Sequence, residues 1–254
     1  RFDPGTRVGV GWLWESCGAC ADCFRGDENL CRRATHTGAD VDGGFAERIK
    51  VPEGFAYEVP SGLQDVEAAS VLCAGVVAYR SLRQGDVEEG ESLGLYGFGA
   101  CARIAMQMAQ HMGCHVHVIS ANEEHRRHAT QAGAEWVGAP HEVPPEPLDR
   151  AVVFSPQAEF LTKALEATRW GGTVASAAGH MGKLPPLDYD QALVGERTLR
   201  SVTVGTRQDV EDLLTLASEG GVRGDAETFP FDRLPEAVDR LAEGRVEGAA
   251  VLVL

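Results

Sequence analysis

The chain has 254 residues, 44% of them apolar, with 38 Asp and Glu against 23 Lys and Arg and a formal charge of −15. That length accommodates two domains and a sizeable core, and the acidic balance works against nucleic acid or an anionic membrane as a partner. No apolar run approaches the ~18 residues of a membrane span, and an acidic chain with seven cysteines and no signal peptide predicts a reducing, cytoplasmic setting.

Residues 6–14 follow Pro4-Gly5 and alternate imperfectly, which predicts a strand. It leads into Cys17, Cys20, Cys23 and Cys31, four thiols within fifteen positions. Short Cys-x-x-Cys turns and a returning arm can bring four sulfurs about 2.3 Å from one zinc ion. A ferredoxin cluster would want its fourth cysteine sooner and before a proline, whereas Cys31 follows Cys23 after seven residues and precedes Arg32. Disulfides conflict with the reducing setting, and a nucleic-acid zinc ribbon conflicts with the charge. The spacing therefore predicts a structural zinc site.

Asp42-Gly43-Gly44 is a turn signal whose glycines permit positive φ, and residues 45–51 alternate as a strand that Pro52 ends. Residues 61–73 predict a short helix capped by Ser61 or Asp65. It ends at Cys73, which in this apolar context reads as a small buried thiol.

From Val76 onward strands and helices alternate, the pattern of a parallel sheet covered on both faces. Ser92 to Tyr96 predicts a strand running into Gly97, Phe98, Gly99, Ala100, Cys101 and Ala102. A helix follows, with Cys101, Ile104, Ala105, Met108 and Met112 on one face, then a strand from His115 to Ser120. In such a turn the first glycine permits the bend and the second admits a pyrophosphate, while Ala102, as the small third position, keeps helix against strand. The helix N-terminus offers free amides to the phosphates. Ser120, Ala121 and Asn122 close the second strand, where a carboxylate would hold the ribose of NAD, and Arg126 follows close behind.

Residues 149–155 and 171–178 continue the sheet around a helix striped by Leu161, Ala164, Leu165 and Thr168, and residues 197–205 read as its last strand. His180 is a loop histidine that reads as structural or solvated. Residues 209–219 predict a helix. The tail adds a helix with Pro235 in its first turn, Ala237, Val238, Leu241 and Ala242 inward and Gly244 as its cap, then a final strand.

The cysteine run, Asp42-Gly43-Gly44-Phe45-Ala46-Glu47, Leu72-Cys73-Ala74-Gly75, the glycine turn and the closing Gly248-Ala249-Ala250-Val251-Leu252-Val253-Leu254 together resemble the zinc-dependent medium-chain alcohol dehydrogenases. The resemblance covers essentially the whole chain. It implies an α/β fold: a Rossmann-type doubly wound parallel sheet over residues 76–221, beside a discontinuous, mainly β, GroES-like lobe formed by 1–75 and 222–254. It implies that Cys17, Cys20, Cys23 and Cys31 hold a structural zinc and that Cys73 is a ligand of a catalytic zinc. Ala121 stands where NAD-selecting members carry Asp, so the resemblance leans toward NADP over NAD, with Arg126 receiving the 2′-phosphate. Phe154, Ser155, Ala178 and Gly179 are implied neighbours of the nicotinamide half.

The function implied is reversible hydride transfer between a primary or secondary alcohol, or its aldehyde or ketone, and nicotinamide, with zinc acting as Lewis acid. The implied partners are a small alcohol or aldehyde and further copies of the chain, as a dimer or tetramer. In the family the other catalytic ligands precede the segment matching Arg1, so the chain reads as a fragment expected to lack full activity. A catalytically inactive nucleotide-binding relative and a zinc-independent enone or quinone reductase are the alternatives.

Overall fold

The computed structural model describes every residue from Arg1 to Leu254 except His180, so the loop histidine lies outside the described residues. The chain forms two compact units, Arg1–Val77 with Thr203–Leu254, and Ala78–Val202.

In the first unit β1 (Val8–Val10) and β2 (Leu13–Glu15) replace the single predicted strand. The one-turn helix α1 (Ala21–Phe24) lies within the cysteine loop and β3 (Thr35–His36) pairs antiparallel with β2. The strand β4 (Ala56–Glu58) pairs antiparallel with β1. Helix α2 (Asp65–Ser70) is capped by Gln64, whose side chain is paired reciprocally with Glu67, and not by Ser61 or Asp65. A reciprocal box satisfies two free helix amides, which a cap at Ser61 would leave too far upstream to reach. The backbone then widens into a π turn, Val71–Gly75, before α3 (Val76–Gln84).

The second unit is a parallel sheet. Its elements are β5 (Ser92–Tyr96), α4 (Ala100–His111), β6 (His115–Ile119), α5 (Glu123–Gln131), β7 (Trp136–Gly138) and β8 (Leu148–Val153), followed by α6 (Glu159–Ala167), β9 (Thr168–Ser176), α7 (Tyr189–Ala192) and β10 (Thr198–Ser201). The order is β10-β9-β8-β5-β6-β7, so the winding reverses between β5 and β8, which sends successive helices to opposite faces. Leu93, Leu95, Val118, Val152 and Val153 are completely buried, as strands covered on both faces require. Each contributes ~1.5–3 kcal/mol relative to exposure. Tyr96 packs on Phe160 with ring centroids 5.9 Å apart, fastening α6 to the sheet.

The chain then returns to the first unit with α8 (Arg207–Ser218), β11 (Ala226–Pro230), α9 (Leu234–Ala242) and β12 (Ala249–Val253), the two strands pairing in parallel. The sequence had left α8 with the sheet, up to residue 221. It belongs instead with the first unit, where Leu213 packs so closely that a Cβ on Gly75 would lie 3.1 Å from its Cδ2.

Several expectations are corrected. Residues 45–51 form no strand, and Phe45 is 70% exposed: alternation supplies a face, but a strand also needs a neighbouring backbone, and none pairs here among the described residues. The turn lies earlier, at Gly38, with φ +77. Gly43 serves a different need, since its Cβ would stand 2.8 Å from the Gly38 Cα. Thr168 opens β9 instead of closing α6, and its hydroxyl donates to the Ala164 carbonyl at 2.6 Å. On α9 only Ala237 is buried, while Val238 and Leu241 are 50% and 56% exposed. No helix among the described residues is long and apolar enough to cross a membrane.

Candidate functional site

Three groups of residues carry chemistry. The first is the thiol cluster. The turn of α1 lifts Cys23 beside Cys20, with the Phe24 amide donating to the Cys20 carbonyl at 3.0 Å. A 3-10 turn, Glu28–Leu30, then swings Cys31 back. All four sulfurs lie within 4.8 Å of one another, with Cys20 to Cys23 at 3.5 Å and Cys17 to Cys23 at 3.9 Å. Zn–S bonds of about 2.3 Å in a tetrahedron demand sulfurs about 3.8 Å apart, so the cluster fits the ion.

The electrostatics fit as well. The Ala19 amide, helped by the side chains of Cys31, Cys20 and Arg33, holds the Cys17 thiol down at about 6. For Cys20 the Cys23 amide favours the thiolate, yet the Cys23 thiol and desolvation outweigh it and push Cys20 up to about 11. The cluster thus presents a ready thiolate beside a retained proton.

The second group surrounds Cys73. The residue sits in the π turn and is exposed, not buried as its sequence context suggested: the widened turn rolls it out of the core while Val71 and Leu72 stay inside. It borders an apolar cavity of about 160 Å³ lined by Trp12, Leu13, Tyr57, Leu72, Val76 and Val204 among others. The dense surrounding protein raises the thiol's pKa by desolvation. Among the described residues, no group of three metal-ligand side chains includes Cys73. One thiol does not meet the three protein ligands of a catalytic zinc, so the residues present do not fit that ion.

The third group is a cleft of about 410 Å³ at the C-terminal ends of β5, β6 and β8, where the strand order reverses. Open parallel sheets bind their ligands at that point. Gly97, Phe98, Gly99, Ala100, Cys101 and Ala102 line it, with Ser120, Ala121 and Asn122 after β6 and Phe154 and Ser155 after β8. Gly97 has φ +90, and a Cβ there would lie 3.0 Å from the Ser155 amide nitrogen. The Phe154 and Ser155 amides donate to the Tyr96 carbonyl at 2.9 and 3.1 Å, which sets that separation. At Gly99 a Cβ would meet nothing within 4 Å. The space beside it, at the N-terminus of α4, suits a pyrophosphate.

Three of the residues assigned from sequence, Arg126, Ala178 and Gly179, do not line the cleft. Arg126 donates from Nη1 to the Ser120 and Ala121 carbonyls at 2.7 and 3.1 Å, bracing the turn. Ala178 gives way to its neighbour Ala177. His125, Pro156, Gln157 and Phe160 line the cleft and were missed. His125 is two positions past the start of α5, where an inward-facing residue of the first turn was the available signal. Asn122 caps that helix by accepting from the Glu124 and His125 amides at 2.8 and 3.3 Å.

Known proteins match both the first lobe and the nucleotide-type sheet. Residues 1–61 match the alcohol dehydrogenase GroES-like domain and residues 102–219 the zinc-binding dehydrogenase family. The chain is 42% identical over 254 residues, all of it and 73% of the relative, to a probable alcohol dehydrogenase AdhA of Mycobacterium tuberculosis. It is 32% identical to an alcohol dehydrogenase of Geobacillus stearothermophilus, over 98% of this chain and 76% of that one. A cinnamyl alcohol dehydrogenase structure from Sorghum bicolor superposes with a TM-score of 0.89 at 28% identity, covering 99% of this chain and 76% of that one. With a parallel nucleotide-type sheet, a four-thiol loop and these relatives, the chain belongs to the zinc-dependent medium-chain alcohol dehydrogenases, oxidoreductases acting on CH–OH groups.

Proposed function

We propose that the protein works as a nicotinamide-dependent alcohol dehydrogenase whose dinucleotide lies in the cleft over Gly97 to Ala102, and whose four clustered thiols hold zinc as scaffolding. The observation carrying this reading is Gly99, whose missing side chain leaves open space within a cleft at the strand-order reversal. Bound nicotinamide supplies the group that accepts or gives hydride. The chain's own part is placement. The α4 amides receive the pyrophosphate, Ser120, Ala121 and Asn122 receive the adenosine ribose, and Phe154 and Ser155 flank the far half. The absence of any carboxylate on the cleft wall among the described residues supports NADP over NAD.

Cys73 stays within this reading as one ligand of a catalytic zinc, with an alcohol or its aldehyde or ketone as substrate. It would need two further ligands, and none among the described residues is grouped with it. A reducing, cytoplasmic setting is proposed because four thiols poised as ligands must stay reduced. A homo-oligomer is proposed because β10 pairs on one side only, leaving an open sheet edge.

Fluorescence titration with NADP and NAD, together with elemental analysis, tests the proposal. One zinc per chain, lost when Cys31 becomes Ser, and saturable cofactor binding are the expected results. A metal-free protein, or one indifferent to both nucleotides, would refute it.

A further inference from the structure

The cavity beside Cys73 lies wholly within the first unit, and one of its walls is a tyrosine with an unsatisfied head. Tyr57 is the middle residue of β4, opposite Gly9 of β1, and only 2% of it is exposed. A buried tyrosine hydroxyl usually finds a hydrogen-bond partner, because an unpaired one forfeits its bond to water. The Tyr57 hydroxyl has none among the described residues. Leu, Val and Gly make up the rest of the cavity wall, apart from Trp12 and Cys73. Trp12 is 47% exposed, so its indole is open to solvent.

The size and lining of the cavity decide what suits it. A buried water makes about three hydrogen bonds. The side chains here offer it one sealed phenol, a thiol that bonds weakly and a solvent-facing indole. Water is therefore a poor occupant, whereas an organic guest needs only one polar partner. Apolar cavities of about 150 Å³ take benzene, and this one is about 160 Å³.

We propose that the cavity takes a small, mostly apolar molecule bearing one hydrogen-bond acceptor oxygen, and that the Tyr57 hydroxyl is the donor selecting it. In the dehydrogenase reading, on which this part rests, that acceptor is a second ether, keto or hydroxyl oxygen of the substrate, distinct from the one at the reacting carbon. Cys73, on the same wall, marks the reacting end.

The surroundings of Tyr57 keep it a donor. Desolvation raises its pKa above the ordinary tyrosine value, and the opposing charge of Arg207 does not offset this, so the phenol retains its proton. A guest without an acceptor leaves that proton unpaired in a dry site, which is how a polar group in an apolar pocket discriminates between molecules of one shape.

Ligand-observed NMR titrations of the full 254-residue chain with cyclohexanone and with methylenecyclohexane, which differ in a carbonyl oxygen against a methylene group, test this. Tyr57→Phe removes the hydroxyl and keeps the ring. Cyclohexanone should bind the variant about tenfold more weakly than the wild type, the upper end of what one neutral hydrogen bond contributes. Methylenecyclohexane should bind both equally, or the variant more tightly. Because the hydroxyl is bonded to nothing in the fold, Tyr57→Phe should unfold at the wild-type temperature or above it. A lower unfolding temperature, an equal loss of both ligands, or an unchanged affinity for the ketone overturns the donor role. Failure of the wild-type chain to bind either molecule overturns the cavity as a binding site. Nucleotide titration of the same samples separates the two readings: ketone selectivity without nucleotide binding upholds Tyr57 and refutes the dehydrogenase reading alone.

Discussion

Glu28 and Arg207 are joined twice across 179 positions: the Arg207 amide and its Nε both donate to Glu28 Oε1, at 2.9 and 3.0 Å. Glu28 belongs to the returning arm of the cysteine loop and is only 4% exposed, while Arg207 opens α8. The carboxylate therefore sits at the N-terminus of α8, beside its Thr206 cap, where the dipole favours it. Beside it, Asn29 Nδ2 donates to the Val204 carbonyl at 2.6 Å, so two consecutive side chains fix the arm that carries Cys31.

Glu28→Gln keeps the shape of this joint and removes its charge. The substitution should cost about 1.5–3 kcal/mol, the range for hydrogen bonds involving a charged group. A lower denaturant midpoint and faster release of zinc to a chromophoric chelator are the expected signs. If both matched the wild type, the joint would not be what holds the loop.

Gly97 and Gly99 separate folding from binding. Gly97→Ala meets both a left-handed φ and the Ser155 amide, and should destabilise the second unit by about 1–3 kcal/mol. Gly99→Ala has ordinary φ and open space, so stability should move by no more than about 0.5 kcal/mol. Its methyl would instead occupy the cofactor's approach and weaken dinucleotide binding about tenfold. Thermal unfolding and titration of the same two variants distinguish these effects, and a destabilised Gly99→Ala with normal affinity would contradict the assignment.

What the sequence revealed about this molecule follows from how local each feature is. The thiol spacing and the glycine turn are set by a few consecutive residues, and the structure assembles both as a cluster and a cleft wall. Residues 45–51 failed because pairing depends on a distant backbone that alternation does not encode. The exposure of Cys73 was hidden by its apolar sequence neighbours, because a π turn shifts the helical phase by one residue. His125 had only its first-turn position to mark it, because a helix of charged and polar residues has no apolar stripe to show which side faces the cleft. The Glu28 to Arg207 joint lay beyond reach for a simpler reason, the length of chain between its partners.

The thiol cluster should bind zinc more tightly as pH rises. Cys17, held at about 6, is already a thiolate at pH 7, while Cys20, pushed up to about 11, keeps its proton. Zinc must expel that proton, so proton competition weakens toward alkaline pH. Competition against a chelator of known affinity from pH 6.5 to 8.5 should show a steady rise in apparent affinity. A flat profile would mean that all four thiols are already ionised in the free loop.

Asp149 predicts an acid-dependent stability in the sheet. The Ser92 amide donates to its Oδ2 at 2.9 Å and Arg169 Nε to its Oδ1 at 2.5 Å, tying the starts of β5, β8 and β9 together. Burial alone would raise its pKa, but the Arg169 hydrogen bond, the Ser92 amide and the charges of Arg169 and Arg150 outweigh it and hold the carboxyl below its ordinary value. The unfolded chain then binds the proton more readily than the folded one. The stabilisation is therefore complete above the ordinary aspartate pKa of about 3.9 and disappears as pH falls through the lower folded value. Asp149→Asn should be about 1 kcal/mol less stable than the wild type at pH 7, a modest figure because the side chain is 30% exposed. Denaturant midpoints of the two proteins should converge below pH of about 4. A difference that stayed constant down to pH of about 3 would show that the amide and guanidinium bond the neutral side chain equally well, and that Asp149 holds the strand ends by shape rather than by charge.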